Sequence, residues 1–413
     1  MKNKRYNTWV TAMVVALLLL GSVTGFASSS QQETTRVKLG IDNIDQHLAL
    51  FAGKRVGLIT NATGMNSQYQ SSIDVLVAKT NLVALYSPEH GIRGAVPAGD
   101  KVGSLTDAKT GLPVYSLYGA TKKPTPEMLQ NIDVLAFDIQ DVGARSYTYI
   151  YTMAYAMQAA KENGKTFVVF DRPNPVGGVA VEGGLIKSGF ESFIGMYPIP
   201  IRHGMTAGEL ARLFNQEFGI GCDLTVVEMT GWKREMYFEE TGLPWVMTSP
   251  NIPTPDTALT YPATGIFGGT NISEGVGTTR PFDFVGAPWL DAEKFAERMN
   301  AMKLPGVVFR PAYYIPRFGN FAGETCGGVQ LHVTDRKAFK PVRTGLSLLY
   351  TVEDLSDGKF AYTFSGKGAP MIDLITGDDG LRLGRYTLDE LLVSWEQEAN
   401  AFKEMAKAYY IYQ

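Results

Sequence analysis

The sequence predicts an α/β fold: a parallel sheet flanked by helices, followed by a smaller α+β C-terminal domain. Three observations carry that prediction. Four short runs rich in Val, Ile, Leu and Phe recur in the first half of the chain, at residues 55–60, 82–86, 132–137 and 166–170. Continuous apolar runs of this length suit strands buried on both faces of a parallel sheet. Between the last two, Ile150, Met153, Ala154 and Met157 recur at helical spacing within residues 147–163, and Gly164 supplies the stop. That strand-helix-strand rhythm is the pattern of an α/β domain. Finally, 413 residues that are 45% hydrophobic and 19% charged are enough for a buried core and for two domains.

Farther along, Thr206-Ala207-Gly208-Glu209 opens a helix carrying Leu210, Leu213 and Phe214. Threonine followed three residues later by glutamate is a capping box, so Glu209 reads as a cap rather than a catalytic group. A Pro/Gly-rich stretch at residues 243–288 then breaks the rhythm, and the domain change is placed near residue 258. This divides the chain into residues 37–258 and 259–413. The second part is expected to hold a helix at 292–302, strands at 307–309 and 328–333, and a terminal helix at 388–408.

The N-terminus has a different character. Met1-Lys2-Asn3-Lys4-Arg5 is basic, residues 10–23 are nearly all apolar, and Gly25-Phe26-Ala27 precedes a Ser/Gln-rich stretch. That order is a secretory signal peptide over residues 1–27, followed by a flexible segment at 28–36. The apolar run is shorter than the roughly 20 residues a spanning helix needs, so no stable membrane insertion is expected after cleavage. A secreted protein, extracellular or associated with the cell wall, is the resulting expectation. Loss of Lys2, Lys4 and Arg5 with no acid takes the formal charge from -3 to -6. A mildly acidic surface argues against nucleic acid as a partner. Cys222 and Cys326 are the only thiols, and their separation leaves pairing open.

Each expected strand of the first domain ends in polar residues: Asn61 after the first, Glu89 and His90 after the second, Asp138-Ile139-Gln140-Asp141 after the third, Asp171-Arg172-Pro173-Asn174 after the fourth. The carboxyl ends of the strands of an open parallel sheet lie along one edge, where ligands bind. Residues distant in sequence are therefore expected to share one cleft. A carboxyl group against apolar walls, as Glu89 would be beside its strand and Pro88, can have its pKa raised and act as a general acid. His90 would tune or orient it. Asp138, Asp141 and Asp171 are candidates for the complementary role, with Arg145 or Arg172 able to tie one of them up. Two carboxyl groups in different environments are what glycoside hydrolysis requires.

The same residues bear on competing chemistries. His90, His203, Asp138 and Asp171 offer mixed nitrogen and oxygen donors for a metal, but no HExxH or paired-histidine spacing is present. Thr60-Asn61-Ala62-Thr63-Gly64 has neither the GxGxxG spacing nor a phosphate-loop lysine, which disfavours a nucleotide cofactor. No cofactor is expected. The dense loops at residues 249–254 and 268–282 read equally as a rigid interdomain linker or as hydrogen-bonding groups for a sugar.

The segments GLITNATG, SPEHGIRG, FDIQDVGARSYTYIYTMAYAM, DRPNPVGG, YPIPIRHGMTAGELA, SPNIPT and GTNISEGVGTTRPFDFVGAPW resemble those of the exo-β-N-acetylmuramidases of the NamZ type. The resemblance spans nearly all of the chain after the N-terminal segment. It implies a Rossmann-like N-terminal domain, a smaller C-terminal domain completing a cleft, and release of N-acetylmuramic acid from the non-reducing end of peptidoglycan fragments in cell-wall turnover and recycling. The family's proposed catalytic glutamate falls on Glu89. Within these motifs Asn61, Arg93, Gln140, Arg145, Tyr147, Arg172, Asn174, His203, Asn251, Thr254, Asn271 and Glu274 are the candidate substrate-binding residues. Where the family pattern commonly has glutamate and arginine, this chain has Gly268 and Val276. A missing guanidinium bears on the lactyl carboxylate of muramic acid, for which Arg93, Arg145, Arg172, Arg202 and Arg280 remain as partners. Readings from other classes are a non-catalytic receptor for cell-wall sugars and a metal-dependent amidase or deacetylase.

Overall fold

The computed structural model describes residues 36–93 and 105–413. The expected signal peptide and all but the last residue of the 28–36 segment lie outside the described residues. Seven strands form the large sheet: β1 (Arg55–Thr60), β2 (Asn81–Ser87), β3 (Leu105–Thr106), β4 (Pro113–Ser116), β5 (Val134–Asp138), β6 (Thr166–Phe170) and β7 (Asp223–Val227). Their order is β3-β4-β2-β1-β5-β6-β7, parallel throughout except for the short β3 beside β4. From β1 the chain builds outward through β2 and β4, then returns to lay β5 against the other side of β1. The strand order therefore reverses between β1 and β5, which makes a crevice at their carboxyl ends.

The apolar runs become strands because both faces of the sheet are covered. Along β5, Val134 and Ala136 face one apolar cluster with Leu58, Val168 and Phe170, while Leu135 and Phe137 face another with Ile59, Phe167 and Val169. The alternation is the period of two that a pleated strand imposes. Helix α1 (Ser72–Lys79) covers the first face through Ile73 and Leu76. A single turn, α2 (Pro126–Leu129), precedes β5, while α3 (Tyr149–Glu162) and α4 (Ala207–Gln216) cover the second face. Thr206 and Glu209 close the expected capping box on α4.

The second domain centres on a three-stranded antiparallel sheet of order β8-β10-β9, made by β8 (Phe284–Ala287), β9 (Val307–Tyr314) and β10 (Cys326–Val333). Around it lie α5 (Pro255–Thr264), α6 (Ala292–Ala301), α7 (Pro341–Asp354), α8 (Met371–Thr376) and α9 (Leu388–Ala406). Residue 258 lies inside α5, a helix that the Pro/Gly-rich sequence did not suggest: Pro255 occupies its first turn, and Pro262 stands within it. Strands β4, β7 and β8 and helix α7 likewise lie outside the expected elements, because short or half-polar segments give weak periodicity. Val37–Gln413 nonetheless form one compact unit. Ile150 and Met153 of α3 share an apolar cluster with Phe267, Phe295 and Leu346 of the second domain. Cys222 and Cys326 are both buried and unpaired.

The C-terminal tail closes the structure by returning to the large sheet. The Tyr412 hydroxyl donates to Asp171 Oδ2 at 2.7 Å, the Ile411 amide donates to Glu209 Oε1 at 2.9 Å, and the Arg234 guanidinium lies 3.5 Å above the Tyr410 ring. Asp171 also accepts from the Gly208 amide and the Thr206 hydroxyl, each at 2.7 Å, at the start of α4. Any side chain at position 208 would place its Cβ 2.7 Å from the Asp171 carboxylate, so glycine is what lets the helix end approach so closely.

Candidate active site

Glu89 and His90 lie in the turn that follows β2, beside the β1/β5 crevice, and both are buried. His90 has φ of 70° and Gly91 φ of 78°. A histidine in the left-handed region is uncommon and marks a turn whose surroundings fix its shape. The Thr148 hydroxyl donates to Glu89 Oε2 at 2.7 Å. Thr148 is the N-cap of α3 but makes no side-chain cap bond, so its hydroxyl serves Glu89 instead of the helix. This sets Glu89 at the N-terminus of a 14-residue helix. The Tyr118 hydroxyl also bonds Glu89; burial first, and then Glu89, push that phenol well above its ordinary range.

A group of tyrosines connects Glu89 to the second domain. Tyr147 packs edge-on against Tyr149 at 5.0 Å and Tyr261 at 5.8 Å, and both Tyr147 and Tyr149 hold Thr248 through their hydroxyls. Tyr261, on α5, meets the Ser146 hydroxyl at 3.2 Å. Its phenol is pushed up to about 12, mainly by burial against the lowering effect of Ser146, with Glu89, Asp141 and Glu274 all adding to the rise. One half-buried phenol therefore feels three carboxyl groups, from the ends of β2 and β5 and from the loop before β8. Burial pushes Glu274 up to about 7. In this way the expected convergence of distant residues takes shape around Tyr261.

Asp141 and His203 form the other wall. The Asp141 Oδ2 accepts from the Gly143 amide at 2.7 Å and lies 3.5 Å from His203 Nε2. His203 Nδ1 accepts from the Met205 amide at 3.2 Å, so the neutral ring carries its proton on Nε2, toward Asp141. Asp141 Oδ1 and His203 Nε2 are buried without a hydrogen-bond partner. A buried carboxylate oxygen left without a donor costs free energy that a hydrogen-bonding group arriving beside it would recover. Asn61, buried at the end of β1, accepts from the amide and hydroxyl of Thr63.

The other two aspartates take different parts. Asp138 is fully buried and paired with Arg172 through Nε at 2.5 Å and Nη2 at 2.9 Å, and the Ser72 hydroxyl donates to it as well. Of the two arginines expected to tie up an aspartate, it is Arg172 that does so, and it also donates to the Met65 carbonyl. Asp171 anchors the start of α4 and the C-terminal tail. Both were candidates for the second catalytic carboxylate, and the donors around them already use their oxygens.

Several candidate binding residues turn out to brace the scaffold. Arg145 donates from both terminal nitrogens to the carbonyls of Gly184, Ile199, Ile375 and Thr376, a buried strut between the two domains. Asn174 donates to the Met205 carbonyl and accepts from the Val176 amide; Gln140 donates to the carbonyls of Asp141 and Pro173. Thr254 caps α5, and Asn271 clamps residues 359–361 through both ends of its amide. Asn251 is half-buried in the turn ahead of α5. Arg93 pairs with Asp107 at 2.6 Å. The residues proposed as metal donors are not gathered either: among the described residues no group of three or more His, Cys, Asp or Glu has a metal-holding arrangement. Sequence reasoning missed Tyr118, Thr148 and Tyr261; only a polar residue at the expected start of α3 gave any signal, for Thr148.

Family models for the N-terminal and C-terminal parts of the exo-β-N-acetylmuramidase NamZ match residues 56–256 and 259–412. The chain belongs to the NamZ family. It is 49% identical to the peptidoglycan β-N-acetylmuramidase NamZ of Bacillus subtilis (strain 168), over 98% of this chain and 99% of that protein. Two crystal structures of DUF1343 family proteins from Bacteroides fragilis NCTC 9343 have the same fold. BF0371 is 42% identical with a TM-score of 0.85, covering 92% of this chain and 99% of its own. BF0379 is 29% identical with a TM-score of 0.73, covering 91% and 99%.

Proposed function

We propose that this NamZ-family chain is an exo-β-N-acetylmuramidase that releases N-acetylmuramic acid from the non-reducing end of peptidoglycan fragments. Secretion and a role in cell-wall turnover are part of the proposal. The basic, apolar and small-residue order of residues 1–27 supports secretion, and the 49% identity to a peptidoglycan β-N-acetylmuramidase supports the substrate. The observation that carries the chemistry is Glu89, buried at the end of β2 and held by the hydroxyls of Thr148 and Tyr118.

In this reading Glu89 is the general acid that protonates the leaving glycosidic oxygen. Cleavage leaves positive charge on the sugar ring, and Asp141, with one carboxylate oxygen unpartnered, stabilises it or activates the incoming water. His203 Nε2 stands 3.5 Å from Asp141 Oδ2, where a proton can pass between the ring and the site. His90 fixes the turn that presents Glu89.

The test is Glu89→Gln, which keeps the shape and the hydroxyl contacts but removes the transferable proton. Mature protein and variant are incubated with disaccharides bearing muramic acid or glucosamine at the non-reducing end, and products are identified by mass spectrometry. The variant is expected to lose at least about a thousandfold in kcat with its melting temperature nearly unchanged. Unchanged turnover overturns the assignment of Glu89; release of glucosamine in preference to muramic acid overturns the substrate.

A further inference from the structure

A muramic acid unit differs from glucosamine by a lactyl ether whose carboxylate needs a cation. The five arginines that the sequence offers for it are engaged elsewhere. Arg93 pairs with Asp107, Arg172 with Asp138, Arg202 with Glu182 at 3.0 Å and Arg280 with Asp283 at 3.4 Å, while Arg145 holds backbone carbonyls. A different cation stands beside Glu89. Lys122 lies 3.9 Å from the centroid of Phe193 and 5.8 Å from that of Tyr118, the tyrosine whose hydroxyl bonds Glu89.

Lys122 is half-buried, and its neighbour shows what it lacks. Lys123 pairs with Glu162 at 2.6 Å, whereas Lys122 closes no salt bridge among the described residues and rests on ring faces instead. Desolvation lowers it below the ordinary lysine range; Glu89 acts in the opposite direction, and Lys367 of the second domain adds to the lowering. The Lys122 ammonium therefore stands over the ring faces next to the acid, with no carboxylate in salt-bridge contact among the described residues. A half-buried ammonium without a carboxylate partner favours an anion beside it. Glu89 is in electrostatic reach of Lys122 but not in salt-bridge contact, which suits a sugar whose C3 substituent stands apart from its glycosidic oxygen.

We propose that Lys122, held over Phe193 and Tyr118 beside Glu89, is the specificity residue that binds the lactyl carboxylate of muramic acid. The proposal rests on the muramidase reading and names the group that selects its substrate. It also accounts for a chain that has Val276 where the family commonly has arginine: the selecting charge comes from another element.

The experiment is calorimetric titration of the mature protein, Lys122→Met and Lys122→Arg with free N-acetylmuramic acid and free N-acetylglucosamine. Methionine keeps an unbranched apolar chain over Phe193 and removes the charge. Wild type is expected to bind muramic acid at least about tenfold more tightly than glucosamine, Lys122→Met to lose most of that preference, and Lys122→Arg to retain it. A merely structural role would weaken both sugars equally, and that result overturns the proposal, as does a preference unchanged in Lys122→Met or absent from wild type. Preferential binding lost in Lys122→Met, in a protein that releases no muramic acid from disaccharides, would sustain the Lys122 assignment and sink the hydrolase reading.

Discussion

Tyr412→Phe tests how the C-terminal tail holds the large sheet. The phenol donates to Asp171 Oδ2 at 2.7 Å and accepts from the Met229 amide at 2.9 Å. Its ring packs edge-on against Trp232 at 5.2 Å, a contact that phenylalanine keeps. The substitution therefore removes two hydrogen bonds and little packing. A bond to a charged group contributes about 2 to 3 kcal/mol and a neutral one about 1 kcal/mol, so the loss at neutral pH is about 3 to 4 kcal/mol. Burial first, against the donors Gly208, Thr206 and Tyr412, pushes the Asp171 carboxyl up to about 6. The folded protein thus holds that proton to higher pH than the unfolded chain, and the stability linked to Asp171 falls as pH rises from about 4 to about 6. Removing a donor to the carboxylate raises its pKa further. The effect of Tyr412→Phe is therefore largest above pH 6 and shrinks to about 1 to 2 kcal/mol near pH 4, where Asp171 is protonated in both proteins. Urea unfolding at pH 7.5 and 4.5, followed by tryptophan fluorescence, measures both numbers. A loss below about 0.5 kcal/mol, or the same loss at both pH values, refutes the reasoning.

Two further outcomes are expected. Asp138→Asn breaks a buried pair and leaves the Arg172 guanidinium uncompensated, at a cost of about 3 to 5 kcal/mol in chemical unfolding; Asp138→Leu with Arg172→Met should recover much of that loss. Glu274, pushed up to about 7 by burial, keeps its proton in the folded state after the unfolded chain has released it. Stability linked to it falls as pH rises from about 4.5 to about 7, so Glu274→Gln should show a shallower decline across that window, and equal slopes for the two proteins count against the burial argument.

The local sequence determined the strands, because apolar runs such as Thr166–Phe170 can only be satisfied inside a covered sheet, and their polar ends fixed where the crevice would lie. Glu89 was legible for that reason, and so was the cap at Thr206 and Glu209, since the capping box is formed by residues three apart. Tertiary structure alone decided which of the carboxylates at the strand ends kept open oxygens. Asp138 and Asp141 stand three residues apart at the end of the same strand, yet the first meets Arg172 and Ser72, while the second meets a single amide and His203. Their partners come from other elements, and Arg172 and Arg145 look equally able to bind substrate until packing brings a carboxylate to one and carbonyls to the other. Tyr261 and Lys122 gave no sequence signal, because a phenol in a Pro/Gly-rich stretch and one lysine of a surface pair acquire meaning only from what folds against them.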